Sequence, residues 1–141
     1  MDSISGDEQT WIDNITDNPY SIRYLENPSL KAQLLAVGTN PSSIRHIIDP
    51  SERVQLTAVK QDPSSIRYII DPTERVQLTA VDKMPSSVRY IIHPTQRVQL
   101  RAVTLDIKSI QYINRPEGDY MKEMVFRNEL YDFIEKMLYS R

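Results

Sequence analysis

The chain has 141 residues, one domain's worth and enough to bury a core without disulfide or metal staples. It has no cysteine, which excludes disulfide frameworks, thiolate metal sites and thiol catalysis. Seventeen Lys and Arg against nineteen Asp and Glu leave a net charge of −2, unlike a strongly basic nucleic-acid binder.

The first predicted element spans residues 8 to 17, where Trp11, Ile12 and Ile15 stand one repeat period ahead of Gln33, Leu34 and Val37. It reads as a lone helix covering the start of a repeat array, within an acidic N-terminal cap of residues 1 to 18. No apolar run approaches the roughly 18 residues of a membrane span, and Met1 to Glu8 are polar and acidic, unlike a signal peptide. A cytoplasmic protein without membrane contact is expected.

From residue 19 to 116 the sequence repeats at a period of about 22 residues. One proline column is Pro19, Pro41, Pro63, Pro85, with Ile107 in the next slot; the second is Pro28, Pro50, Pro72, Pro94, Pro116. Residues 41–62 and 63–84 agree at 17 of 22 positions, so one structural unit is used several times. Asn18, Asn40, Asp62 and Asp106 precede the first column, and Asn27, Asp49 and Asp71 precede the second. An Asx before proline writes a helix start, because the side chain caps free amides while proline at the first helical position gives up an amide without a partner. Glu52 and Glu74, three residues behind Asp49 and Asp71, extend this to a capping-box pattern. Each repeat is therefore predicted to hold a helix A of about eight residues (Pro63 to Ile70) and a helix B of about ten (Pro72 to Val81). Helices this short gain stability only from neighbours, which stacked repeats supply.

After Pro116 the repeat dissolves into an amphipathic stretch, residues 117 to 141, with Phe126, Leu130, Phe133, Ile134, Met137 and Leu138 on one helical face. The expected fold is all-α: a single-domain α-solenoid of short helix pairs with an N-terminal capping helix and a longer C-terminal one. The last helix either closes the array or joins two copies, so the chain is a monomer or a homodimer through it. The array carries thirteen basic and eight acidic residues, whereas both ends are acidic.

The repeat resembles a family of short α-helical repeats of unknown function found in phage, giant-virus and some bacterial proteins, whose copies read close to NPSEEVQLAAVKQNGYAIQYIK. Residues 49 to 70, DPSERVQLTAVKQDPSSIRYII, are the matching stretch, and the likeness covers about 19 to 116. Pro stands where the family tends to have Gly, and Arg where it tends to have Gln before Tyr. The resemblance implies a solenoid in a viral or phage setting, and the family has no activity to transfer.

Two columns carry the functional expectations. On an α-helical wheel Ile66, Ile69 and Ile70 share the buried arc, Arg67 lies at its flank and Tyr68 opposite. Arg23, Arg45, Arg67 and Arg89 with Tyr24, Tyr68, Tyr90 and Tyr112 thus form adjacent ladders. Either they are structural, with each Tyr packing in the groove against the next helix A and each Arg bonding a nearby carboxylate or carbonyl, for instance Asp71, or they are a binding face, since Arg and Tyr dominate interface hot spots. In helix B, Gln33, Gln55, Gln77 and Gln99 fall in the apolar arc and are expected to be a buried structural ladder, bonding one another or carbonyls left open at the end of a neighbouring helix A.

No catalytic residue, metal site or cofactor is expected: His46 stands in the Tyr column, His93 in an Asx column, and no phosphate loop or nucleophile set occurs. The leading functional expectation is a non-enzymatic interaction protein that binds a host protein, with a phage-encoded inhibitor of a CRISPR-like defence complex, acting in the host cytoplasm, as its concrete form. The alternatives are binding of a nucleic-acid backbone through the Arg/Tyr ladder and a structural or assembly role in the virion. A second candidate surface is the helix B face around Arg53, Arg75 and Arg97.

Overall fold

The computed structural model describes residues 7–113, and over them every regular element is helical. Five α-helices of ten residues, α1 (Glu8–Asp17), α2 (Leu30–Thr39), α3 (Glu52–Gln61), α4 (Glu74–Lys83) and α5 (Gln96–Leu105), alternate with five 3-10 helices of six. These are η1 (Pro19–Tyr24), η2 (Pro41–His46), η3 (Pro63–Tyr68), η4 (Pro85–Tyr90) and η5 (Ile107–Tyr112). Successive α-helices pack side by side in one row and successive η helices in another, while each η touches the α-helix before it and, where one follows, the α-helix after it. That is the expected solenoid, and α1 occupies the predicted residues and packs on α2 and η1. The amphipathic C-terminal stretch, with its capping or dimerising role, lies outside the described residues.

Helix A departs from the expected α-helix: it is a 3-10 helix and stops at Tyr68 rather than Ile70. Local polar bonds impose the tighter turn. Asp62 closes α3 by donating its amide to the Ala58 carbonyl, while its Oδ1 accepts from the Ser64 amide at 2.9 Å. The Asp62 carbonyl then takes both the Ser65 amide at 3.0 Å and Ser65 Oγ at 2.7 Å, an i to i+3 closure. At the far end Ile69 is extended (φ −98°, ψ 120°) and Asp71 adopts φ 52°, a left-handed conformation that Asx residues tolerate better than most. Asn27 and Asp49 do the same in their repeats.

The second-column Asx is therefore a turn residue and not the N-cap of helix B, which corrects both the start of that helix and the capping box. Helix B begins two residues later, at Glu74, and its N-cap is Thr73, whose hydroxyl accepts from the Val76 amide. Ser29, Ser51 and Thr95 cap α2, α3 and α5 in the same way. Pro72 precedes the cap, and Glu74 sits in the first turn, where its charge favours the helix N-terminus.

First-column Asx caps hold as predicted at Asn18, Asn40, Asp62 and Asp106, but Met84 fills this slot before η4 and makes no side-chain cap. Met84→Asp should therefore raise stability by about 0.5–1 kcal/mol, and Asp62→Ala should lower it by about 1 kcal/mol. Denaturant melts of both variants check this; an unstabilised Met84→Asp would mean that the methionine's packing matches a cap in value.

The core runs between the two rows. Val76, Ala80 and Val81 of α4, with their equivalents in α2, α3 and α5, meet Ile22, Ile44, Ile66 and Val88 of the η row, all essentially inaccessible. Alanine at the contact lets neighbouring α-helices approach closely, and the stack buries a continuous apolar strip that no single repeat could.

Candidate functional site

Each η helix ends in Arg followed by Tyr or a substitute, and the side chains interleave along the array. Arg45 lies over the Tyr68 ring (6.0 Å to its centroid), Arg67 over Tyr68 (5.9 Å) and Tyr90 (4.0 Å), and Arg89 over Tyr90 (4.7 Å) and Tyr112 (5.4 Å). The columns thus form a single alternating ladder of guanidiniums and rings. Arg23 lies over Tyr24 (4.6 Å) and donates a hydrogen bond to that Tyr hydroxyl, a pair apart from this run, whose first guanidinium, Arg45, lies also over Tyr20 (5.3 Å). All four arginines, Tyr24 and Tyr68 are exposed, while Tyr90 and Tyr112 are half-buried. Cation–π contacts at exposed sites contribute about 0.5–1 kcal/mol each, enough to hold a guanidinium in place without fixing the fold.

None of these four arginines forms an ion pair among the described residues. Of the two partner types expected, Arg67 takes the carbonyl and not the Asp71 carboxylate: its Nε donates to the Ser64 carbonyl at 3.0 Å. The reason is the 3-10 geometry, since Asp71 lies beyond the helix end in a left-handed turn and not one α-helical turn from Arg67. On the α row three arginines are engaged and Arg53 has no ion pair among the described residues: Arg75 pairs with Glu52 (3.5 Å), Arg97 with Glu74 (3.4 Å) and Arg101 with Asp82 (2.6 Å). Glu52 also accepts from Thr73 Oγ1 at 2.8 Å, so these carboxylates tie one repeat to the next. Arg53 lines a shallow, mixed-charge hollow of about 340 Å³ with Glu52, Lys60 and Arg75.

His46 interrupts the tyrosine column. Arg45 Nε donates to His46 Nε2 at 3.1 Å, and the imidazole meets Tyr20 edge-on at 5.5 Å. Burial first, then the charges of Arg45 and Arg23, hold the imidazole below its usual pKa. The unfolded chain then takes up the proton first as pH falls through about 6.5. Stability is expected to decline from pH 7 toward 5 and to level once the folded imidazole titrates. Melting curves against pH should show this component in the wild type and lose it in His46→Tyr; an identical pH profile for the two would remove His46 as its source.

The glutamine column is an internal brace. Gln33, Gln55, Gln77 and Gln99 each donate Nε2 to the carbonyl of the proline five residues earlier, at 2.8 to 2.9 Å. Gln77 and Gln99 are buried, Gln33 and Gln55 half-buried, and Gln77 Oε1 also accepts from the Thr95 amide of the next repeat at 3.2 Å. Neither expected partner is taken: the Gln-to-Gln ladder is not formed, and the carbonyl bonded is that of the proline ahead of the glutamine's own helix rather than one at the end of a neighbouring helix A. The proline's neighbours leave that carbonyl outside any helix, where the amide satisfies it.

Two further columns escaped the sequence reading. Ser43, Ser65, Ser87 and Ser109 are fully buried, a small-residue column visible at the repeat period. More consequential are Ile48, Ile70 and Ile92, which are 94%, 92% and 79% exposed. The α-helical wheel put Ile70 beside Ile66 in the buried arc; the extended backbone at Ile69 instead sends successive side chains to opposite sides, so Ile69 goes inward and Ile70 outward. Leaving such a side chain in water forgoes roughly 1.5–3 kcal/mol of burial. In the η4 repeat Ile92 opens onto a hollow of about 200 Å³ together with Arg89, His93 and Tyr112, which sets this isoleucine beside the ladder.

Among the described residues no cluster of His, Asp or Glu is arranged to hold a metal ion, and no helix is long and apolar enough to cross a membrane. No family model, curated protein or solved structure matches the chain.

Proposed function

We propose that the chain is a non-catalytic interaction scaffold whose η face, built on Arg23, Arg45, Arg67 and Arg89 with Tyr24, Tyr68, Tyr90 and Tyr112, binds a protein partner. The observation that carries this reading is a row of exposed guanidiniums that lack carboxylate partners among the described residues yet are held over aromatic rings. A guanidinium already oriented loses less side-chain freedom on binding, and arginine with tyrosine is the pairing that anchors protein interfaces. Base stacking is disfavoured, because the Tyr90 ring lies under both Arg67 and Arg89 and offers little free surface to a nucleobase.

The resemblance of the repeat to phage and giant-virus sequences supports a host protein as the target. Inhibition of a CRISPR-like defence complex in the host cytoplasm is the concrete form of the proposal. Pull-down from host lysate before and after nuclease treatment tests it. Capture that survives nuclease and weakens only mildly between roughly 50 and 200 mM salt supports a protein partner. Capture abolished by nuclease, with a log–log salt slope of several units, would transfer the ladder to phosphate binding.

A further inference from the structure

We infer that the η face recognises an acidic polypeptide segment with apolar side chains, the isoleucines Ile48, Ile70 and Ile92 receiving the apolar groups and Arg45, Arg67 and Arg89 the carboxylates. This rests on the protein-binding reading above and specifies the chemistry of the partner.

Three observations converge. The isoleucines are the most exposed large hydrophobic residues described, and they recur in register in three successive repeats, with Glu26 and Asn114 in the same slot at the two ends, where a stacked array keeps its equivalents in line. Exposed apolar area that is contiguous and rimmed by polar groups marks an interaction site, whereas scattered single residues do not. The hollow in the η4 repeat brings Ile92 together with Arg89 and Tyr112. Repeat equivalence sets Ile70 with Arg67 and Tyr90, and Ile48 with Arg45 and Tyr68. Each rung therefore offers an apolar contact beside a planar cation that carboxylates meet with two parallel hydrogen bonds.

Charge decides the sign of the partner. On the α row Arg75, Arg97 and Arg101 are matched by Glu52, Glu74 and Asp82 from adjacent repeats and Arg53 has no ion pair, while on the η face all four arginines are left unmatched among the described residues. Asp49 and Asp71 follow Ile48 and Ile70 but pair with neither Arg45 nor Arg67, and at the last rung the slot holds His93 instead of a carboxylate. The Arg89–Ile92 rung is accordingly the least acidic. A phosphate backbone would use the cations and leave the isoleucines in water; an acidic, apolar peptide uses both. Neighbouring helices pack about 8–10 Å apart, so three rungs call for an extended run of contacts along the partner and not a single residue.

The test uses a display library of random 16-residue peptides selected on the full chain. Recovered peptides should be enriched in Asp and Glu together with Leu, Ile, Met or Phe. They should bind at least tenfold more weakly to Ile70→Ser, with its melting temperature unchanged since the side chain is exposed, and to Arg67→Glu, which stays folded and loses only its stacking on Tyr68 and Tyr90 and its bond to the Ser64 carbonyl. Selected peptides that are basic or uncharged, peptides that bind Ile70→Ser as well as the wild type, or a library that yields no enrichment would each overturn the inference. A lysate partner lost on Arg67→Glu yet indifferent to Ile48→Ser and Ile70→Ser would overturn it while leaving the protein-binding reading intact. Arg67-dependent binding of a fluorescent 20-nucleotide single strand, with no peptide enriched, would overturn both.

Discussion

Replacing Gln77 with alanine is expected to destabilise the chain by about 1–3 kcal/mol. The amide bridges two backbone groups that no other described residue serves in the same way: Nε2 donates to the Pro72 carbonyl at 2.9 Å, and Oε1 accepts from the Thr95 amide in the following repeat at 3.2 Å. With the side chain at 4% exposure, water does not readily replace either bond. Because repeats hold one another only through nearest-neighbour contacts, the loss falls on the α4–α5 interface and weakens the array there. A leucine at the same position separates bonding from packing. If the cost came from an empty space, Gln77→Leu would recover most of it; if it comes from unpaired backbone groups, Gln77→Leu melts close to Gln77→Ala. Gln33→Ala, in the half-buried first copy, should lose less than Gln77→Ala. Urea melts of the three variants decide between these outcomes, and a fully stable Gln77→Ala would remove the column from the structural framework.

The period of the array was readable without coordinates because proline and Asx act locally. Pro63 cannot extend α3, and Asp62 ends one helix and starts the next through its own amide and carboxylate, whatever surrounds them. The inner strip was also legible, since Val76, Ala80 and Val81 recur at α-helical spacing in an element that is an α-helix. What failed was the wheel applied to helix A. Competing side-chain bonds from Asp62, Ser64 and Ser65 favour the 3-10 turn, and the residues beyond Tyr68 are not helical at all. A rotation of about 100° per residue therefore left Arg67 off the core, as it is, but set the tyrosine column opposite a core that Tyr90 and Tyr112 pack against, and sent Ile70 to the wrong side. The isoleucine column was hidden for that reason: its hydrophobicity implied the core, and only the backbone at Ile69 reveals that it faces out. The cross-repeat partners of Glu52 and Glu74 were hidden likewise, since a capping box explained both glutamates before the true N-caps, Ser51 and Thr73, were known.

Reversing charge at Arg45 and Arg67 together, as Arg45→Glu/Arg67→Glu, should abolish partner binding while lowering stability by about 2–4 kcal/mol, the four ring contacts counting about 0.5–1 kcal/mol each. Neither guanidinium has an ion pair among the described residues to lose. What they contribute to folding is stacking on Tyr20, Tyr68 and Tyr90, the Arg67 Nε bond to the Ser64 carbonyl and the Arg45 Nε bond to His46, all at the exposed surface. Binding is affected far more, because two adjacent rungs change from attracting to repelling carboxylates, and like charge brought into an interface costs several kcal/mol. The effect should appear as complete loss of capture at micromolar partner, since a penalty of several kcal/mol weakens affinity by orders of magnitude. Conservative Arg67→Lys refines the result: a lysine keeps the charge but not the flat, two-pronged donor that stacks on Tyr90, so partial loss is expected, larger than salt screening alone produces. Circular dichroism and melting, run beside the binding measurement, separate the cases. Unfolding of the double variant would make the ladder a structural element first, and intact folding with intact binding would move the interface to the α row around Arg53, Arg75 and Arg97. There the arginines Arg75 and Arg97 are already tied to Glu52 and Glu74, so a partner would first have to displace those carboxylates. The guanidiniums of the η row, with no ion pair among the described residues, face no such competition, and the first experiment belongs there.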